Sequence, residues 1–193
     1  MARTNSKREH IEEAAIRLFA TKGLARTTIK DIAAAADVTE GALYRHYSGK
    51  EEMAWKLYNH ELDIFTRIIS DILLDQRLAF PIRLTLAIRA IYDYYRVNTE
   101  KFAFILLTQH GFPENTLTSG VRDPMNMAVH FVGQAIGEGE IPPCDAELYA
   151  ALLMGAILQP LVMHRYGRLE LAPDTYAQVS TACLHILGAH HTA

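Results

Sequence analysis

Cysteine and tryptophan are scarce in this chain of 193 residues, which has two of the first and one of the second. Cys144 and Cys183 lie too far apart in sequence for a metal-ligand spacing and are too few for a disulfide framework, which fits a reducing compartment. Long apolar runs are also lacking. The longest stretch without charge, Leu148 to His164, is broken by Gly155, Gln159 and Pro160, so no membrane span is expected. The basic opening residues, among them Arg3, Lys7 and Arg8, have no apolar run behind them, so a secretory leader is not expected and a cytoplasmic location is. No segment alternates apolar and polar residues for the length of a strand, which leaves an all-α chain.

Enzyme signatures are missing as well. His60-Glu61 would need a second histidine at 64 to make a zinc-protease helix, and Ile64 stands there; Gly137-x-Gly139 meets Pro142 where a dinucleotide loop needs its third glycine. There is no phosphate-binding loop and no nucleophile elbow. The nine histidines pair at close spacing only as His190-His191 near the terminus. Neither catalysis, a metal nor a cofactor is expected.

What the chain does have is an uneven charge. The formal total is -3, yet residues 1 to 50 carry nine Lys and Arg against six Asp and Glu, and the rest carries ten against sixteen. A positive N-terminal end suits an anionic partner, and the acidic remainder implies a separate task.

Helical periodicity fills most of the length. Ser6 with Glu9 reads as a cap for a first helix whose stripe is Ile11, Ala14, Ala15, Leu18 and Phe19, closed by Gly23. Thr28 with Asp31 forms a capping box for a second helix bearing Ile29, Ile32, Ala33 and Ala36, interrupted at Asp37-Val38. Thr39 opens a short third helix with Leu43 and Tyr47 on its inner face; Ser48 with Glu51 opens a long fourth, from about 49 to 75. Pro81, Thr99, Asp123-Pro124, Asp145 and Pro173-Asp174 mark five further starts. About nine helices are expected. Two short helices joined by a tight turn make a helix-turn-helix, whose second member suits the major groove of double-stranded DNA.

Ile11, Ala14-Ala15, Leu18-Phe19, Gly23, Thr27-Thr28, Asp31-Ile32-Ala33, Ala36, Val38-Thr39, Gly41, Leu43-Tyr44, His46-Tyr47 and Lys50-Glu51 together resemble the N-terminal signature of TetR/AcrR-type transcriptional regulators. The likeness covers about the first quarter of the chain and is one of architecture beyond it. Asp37 departs from the pattern, because the family has glycine in this turn. Aspartate tolerates the left-handed backbone at a cost of about 1 kcal/mol, so the turn is expected to form.

The resemblance implies a helix-turn-helix DNA-binding domain over residues 1–50 and a ligand-binding and dimerisation domain over 51–193, linked by the long helix. It implies DNA contacts from Thr28, Lys30, Thr39, Glu40, Gly41, Ala42, Tyr44, Arg45, His46 and Lys50, with Arg45 the candidate for reading a base and Tyr44, His46 and Lys50 clamping the backbone. Arg3, Lys7 and Arg8 would be either a phosphate-seeking arm or a solvated end. Phe65, Tyr95, Phe102, Gln109, His110, Met127, Phe131, Gln159 and Met163 are the candidate lining for a small apolar or amphipathic effector, ordinary core packing being the plainer alternative for each. Pro160 should kink the eighth helix. The last two helices, through Leu152, Ala156, Leu161, Tyr176, Val179, Cys183, Ile186 and Leu187, are the candidate half of a four-helix dimer interface. The implied protein is a homodimeric repressor that binds a palindromic operator and leaves it when an effector binds. A helical binding module with a merely structural helix-turn-helix is the alternative.

Overall fold

The computed structural model describes residues 2–108 and 123–189. Among the described residues there are nine helices and no strand: α1 (Ala2–Lys22), α2 (Ile29–Ala35), α3 (Glu40–Tyr44), α4 (Lys50–Leu73), α5 (Phe80–Val97), α6 (Thr99–Thr108), α7 (Pro124–Gly137), α8 (Ala146–Arg165) and α9 (Thr175–Ile186). Helix α1 already runs from Ala2, so Ser6 lies inside it rather than capping it. The long helix begins at Lys50, and the carboxylate that turns back to Ser48 belongs to Glu52, not Glu51.

Contacts divide the chain into two compact units. One holds the chain up to Ile64 together with α6; the other holds Phe65–Val97 together with α7, α8 and α9. The sequence suggests a boundary at residue 50, whereas packing places it inside α4 and adds α6 to the first unit. The apolar stripe of α1 explains this. Ile11, Ala14, Ala15 and Phe19 are all buried, and the Phe19 ring stacks on Phe104 of α6 at 5.8 Å between centroids, with Tyr58 of α4 edge-on to Phe104 at 6.3 Å. Two short helices alone offer too little apolar surface to cover a 21-residue helix.

In the second unit α5 buries Phe80, Leu84, Ala87, Ile88, Ile91 and Tyr92 along its length. The buried Arg83 gathers three segments: its Nη1 donates to the Leu73 carbonyl at 3.2 Å, its Nη2 pairs with Glu140 at 2.6 Å, and its guanidinium lies 5.5 Å from the centre of the Phe131 ring. The other oxygen of Glu140 accepts from the Phe80 N–H. Gly139, at φ +71°, brings Glu140 to that place by ending α7 in a left-handed turn, with the Glu140 N–H returned to the Ala135 carbonyl at 2.9 Å.

Helix α8 continues through Pro160, which has no N–H for the Ala156 carbonyl. In the same turn the buried Tyr92 hydroxyl donates to the Ile157 carbonyl at 3.2 Å, supplying a donor where the helical ladder is weakened. Contrary to the expectation from its interruptions, α8 is long and apolar enough to cross a membrane by length and composition, with a mean hydropathy of 1.6 over its best window. Its apolar residues face both ways. Ala150, Leu153, Ile157 and Leu161 are buried, whereas Leu148, Ala151, Leu152, Gly155 and Gln159 form an exposed stripe. In α9, Val179, Cys183 and Leu184 are core, and the outer face carries Ala177, Gln178, Thr181, Ala182 and His185. Leu161, Val179, Cys183 and Leu187, expected at a partner-facing surface, are therefore buried within the chain itself. Both cysteines are free thiols.

Candidate functional site

The helix-turn-helix is assembled from local bonds that its residue types dictate. Thr28 caps α2: its hydroxyl accepts from the Asp31 N–H at 3.1 Å, while Asp31 accepts from the Thr28 N–H at 2.8 Å and from Lys22 at 2.6 Å. The Lys22 bond, then those from Thr28, hold the Asp31 carboxyl down to about 2. Behind this cap the fully buried Thr27 donates to the Gly23 carbonyl at 2.8 Å. Helix α2 ends with the Val38 N–H on the Ala33 carbonyl at 3.0 Å and the Asp37 N–H on the Ala34 carbonyl at 3.3 Å. That pairing needs a left-handed residue between, and Asp37 adopts it at φ +53°, alone among the described non-glycine residues.

Helix α3 is only five residues long, so its position depends on anchors. Leu43 and Tyr47, the two residues expected inside, are both buried. The Tyr47 hydroxyl donates to Glu12 of α1 at 2.5 Å, and Glu12 also accepts from Arg8 at 2.7 Å. Burial, then the Glu12 bond, push the Tyr47 phenol upward, so it stays a donor. Arg8 is thus engaged on α1 and not held in a loose arm; Lys7 is exposed, and the Arg3 side chain lies outside the described residues.

The opposite side of α3 is open. Thr39, Glu40, Gly41, Tyr44, Arg45 and His46 are exposed, as are Thr28 and Lys30 at the start of α2, while Ala42 and Lys50 are half-buried. Tyr44 is 56% exposed, unusual for a large aromatic ring without a role in packing. Thr39 occupies the N-cap position of α3, but its side chain makes no capping bond, which leaves the hydroxyl directed at the surface. A Cβ at Gly41 would meet nothing nearer than the Thr39 hydroxyl at 4.0 Å, so the fold itself does not require glycine there. Lys50 lies 3.6 Å from Glu51.

In the second unit a half-open cleft of about 340 Å³ lies between α4 and α7. Thr66, Arg67, Ser70, Leu73 and Leu74 form one wall, and Asn126, Met127, His130, Phe131 and Gln134 the other. Met127 and Phe131 are the expected ligand residues that the cleft contains. The others are elsewhere. Phe65 is buried against Tyr94 at 5.3 Å between centroids; the Tyr95 hydroxyl is bonded to His164 Nδ1 at 2.7 Å; Phe102 is core of the first unit. Gln159 is exposed and Met163 half-buried on α8, and Gln109 and His110 lie outside the described residues. Asn126, His130 and Gln134, the polar part of this wall, recur in the sequence at helical spacing beside Met127 and Phe131.

Comparison with known proteins agrees with this geometry. Residues 11–55 match the description "Bacterial regulatory proteins, tetR family". The transcriptional repressor KstR2 of Mycobacterium tuberculosis is 44% identical over 64 residues, which is 33% of this chain and 32% of that protein. The chain's match thus spans about a third of the length of such curated relatives. Across nearly the whole chain the likeness is structural. A tetR-family regulatory protein from Rhodococcus RHA1 superposes with a TM-score of 0.81 at 20% identity, covering 95% of this chain and 98% of that one. AibR, solved with isovaleryl coenzyme A and operator DNA, superposes at 0.70 with 23% identity over 95% of this chain and 100% of its own. Residues 11–55 thus match the tetR family of bacterial regulatory proteins in sequence, and the chain as a whole shares the fold of tetR-family structures.

Proposed function

We propose that this protein is a ligand-responsive transcriptional repressor that binds a palindromic operator as a homodimer. The observation that carries the reading is the exposed row on α3, Thr39, Glu40, Gly41, Tyr44, Arg45 and His46, on a helix pinned from behind by Leu43 and Tyr47. A short helix held rigidly by its inner face and offering its N-terminal residues fits the major groove. Arg45 is the residue for a guanine edge; Thr28, Lys30, Tyr44, His46 and Lys50 position the backbone; Gly41 and Ala42 allow close approach. KstR2, whose resemblance covers this segment, is described as a repressor.

Two copies are required to read a palindrome, and the exposed stripe of α8 supplies the surface. Leu148 and Leu152 are 53% and 46% exposed, flanked by Ala151 and Gly155, with the small residues of the outer face of α9 beside them. A two-fold mate would bury this stripe in a four-helix bundle. The effector would bind in the second unit and act on α4, the helix that continues into the first. AibR, with an acyl coenzyme A and operator DNA, is an example of this fold carrying both ligands.

Gel-shift titration against the DNA flanking the gene tests the reading. Arg45→Ala is expected to relax sequence preference, while Lys50→Ala should weaken all sites alike and reduce the salt slope by about 1. Binding that competitor DNA abolishes, or the reverse pattern in the two variants, would overturn it. Leu148→Glu/Leu152→Glu should give monomers in sedimentation and lose operator binding together; a dimer persisting in this variant would remove the assignment of the interface.

A further inference from the structure

The α4–α7 cleft has a composition that selects among effectors. Its ten lining residues include one arginine and one histidine, two hydroxyls, two amides and four large apolar side chains, and no carboxylate. Along α4 the two chemistries are separated, and along α7 they lie side by side. On α4 the polar residues Thr66, Arg67 and Ser70 precede Leu73 and Leu74; from Arg67 to Leu74 is seven residues, about 10 Å of helix. On α7 the polar row Asn126, His130 and Gln134 runs beside the apolar pair Met127 and Phe131, each row at helical spacing. A guanidinium with neighbouring hydroxyl and amide groups suits a planar carboxylate, and the leucines, Met127 and Phe131 suit an alkyl or aryl tail. A volume of about 340 Å³ is at the small end for ligand sites.

We propose that this cleft takes a small amphipathic carboxylate, with its head at Arg67 and His130 and its tail along Leu73, Leu74, Met127 and Phe131. This rests on the reading of the second unit as the effector-binding part, but is tested without DNA. The full chain is titrated calorimetrically with decanoate, 4-phenylbutyrate, decylamine and decan-1-ol. Decanoate or 4-phenylbutyrate should bind at least tenfold more tightly than either the amine or the alcohol. Arg67→Gln should weaken the carboxylates at least tenfold and leave decan-1-ol unchanged, Arg67→Lys should restore part of the loss, and Met127→Gln should weaken all the ligands that bind. Neither carboxylate outbinding the alcohol, or equal carboxylate affinity in Arg67→Gln, overturns the proposal. Carboxylate binding with these dependences in a protein that shows no operator binding would instead overturn the repressor reading and leave this site standing.

Discussion

Arg83 and Glu140 are paired unequally, so cutting the pair from either side should cost different amounts. The Arg83 side chain is 3% exposed and that of Glu140 26%. Glu140→Ala leaves a guanidinium inside the second unit with the Leu73 carbonyl, the Phe131 ring and Glu138, 3.8 Å away, as its remaining neighbours. The Phe80 N–H loses its acceptor as well. A stranded buried charge costs about 3–5 kcal/mol, and an orphaned buried donor about 1–3 kcal/mol. Glu138 can turn towards the guanidinium and offset part of this, giving an expected loss of about 3 kcal/mol. Arg83→Met differs: an apolar chain fills the same space, and the abandoned carboxylate reaches water. A loss of about 1–2 kcal/mol is expected. The measurement is urea unfolding at one fixed protein concentration, comparing midpoints at constant slope. Arg83→Met/Glu140→Leu should recover most of the Glu140→Ala loss, since no charge is left behind. Equal losses from the two single changes, or a Glu140→Ala loss under about 1 kcal/mol, would mean the pair behaves as a solvent-screened bridge and does not clamp the three segments.

Two further outcomes concern the first unit. Asp31 and Glu52 are both held down to about 2, the first by Lys22 and Thr28, the second by Lys56 and Ser48. Their ordinary values are about 4, so the stability they lend is complete above roughly pH 4.5 and is lost as pH falls towards 2. Asp31→Asn/Glu52→Gln should therefore lose less helical signal in that window than the parent, and less so at high salt; an undiminished acid transition would count against these caps. Asp37→Gly should raise the urea midpoint by the equivalent of up to about 1 kcal/mol by relieving the left-handed backbone, and Asp37→Val should lower it by more than that; a valine as stable as the glycine would be incompatible with φ +53°.

Helix ends were the most legible part of the fold, because a cap is a bond between residues two or three apart. Thr28 with Asp31, Asp123 ahead of Pro124, and Asp145 all cap where the sequence places them. Faces were less so. Helix α8 is apolar nearly all round, so periodicity does not say which side meets the rest of the chain, and Leu161, expected outward, is buried. The exposed row on α3 was legible because one inward pair, Leu43 and Tyr47, fixes every other direction on a five-residue helix. The cleft was not, since its walls come from helices some fifty residues apart in sequence, and Phe65, Tyr95 and Phe102 are apolar for the sake of packing.

Because Phe19 of α1 rests on Phe104 of α6, the helix-turn-helix is an incomplete folding unit when taken as the first fifty residues. On the ribosome its core would stay open until α6 has left the exit tunnel, some eighty residues after the first apolar stripe has appeared. An excised fragment ending at residue 50 or 73 would present Phe19, Ala15 and Ile11 to water and self-associate, so grafting this helix-turn-helix onto another protein calls for carrying α6 along with it.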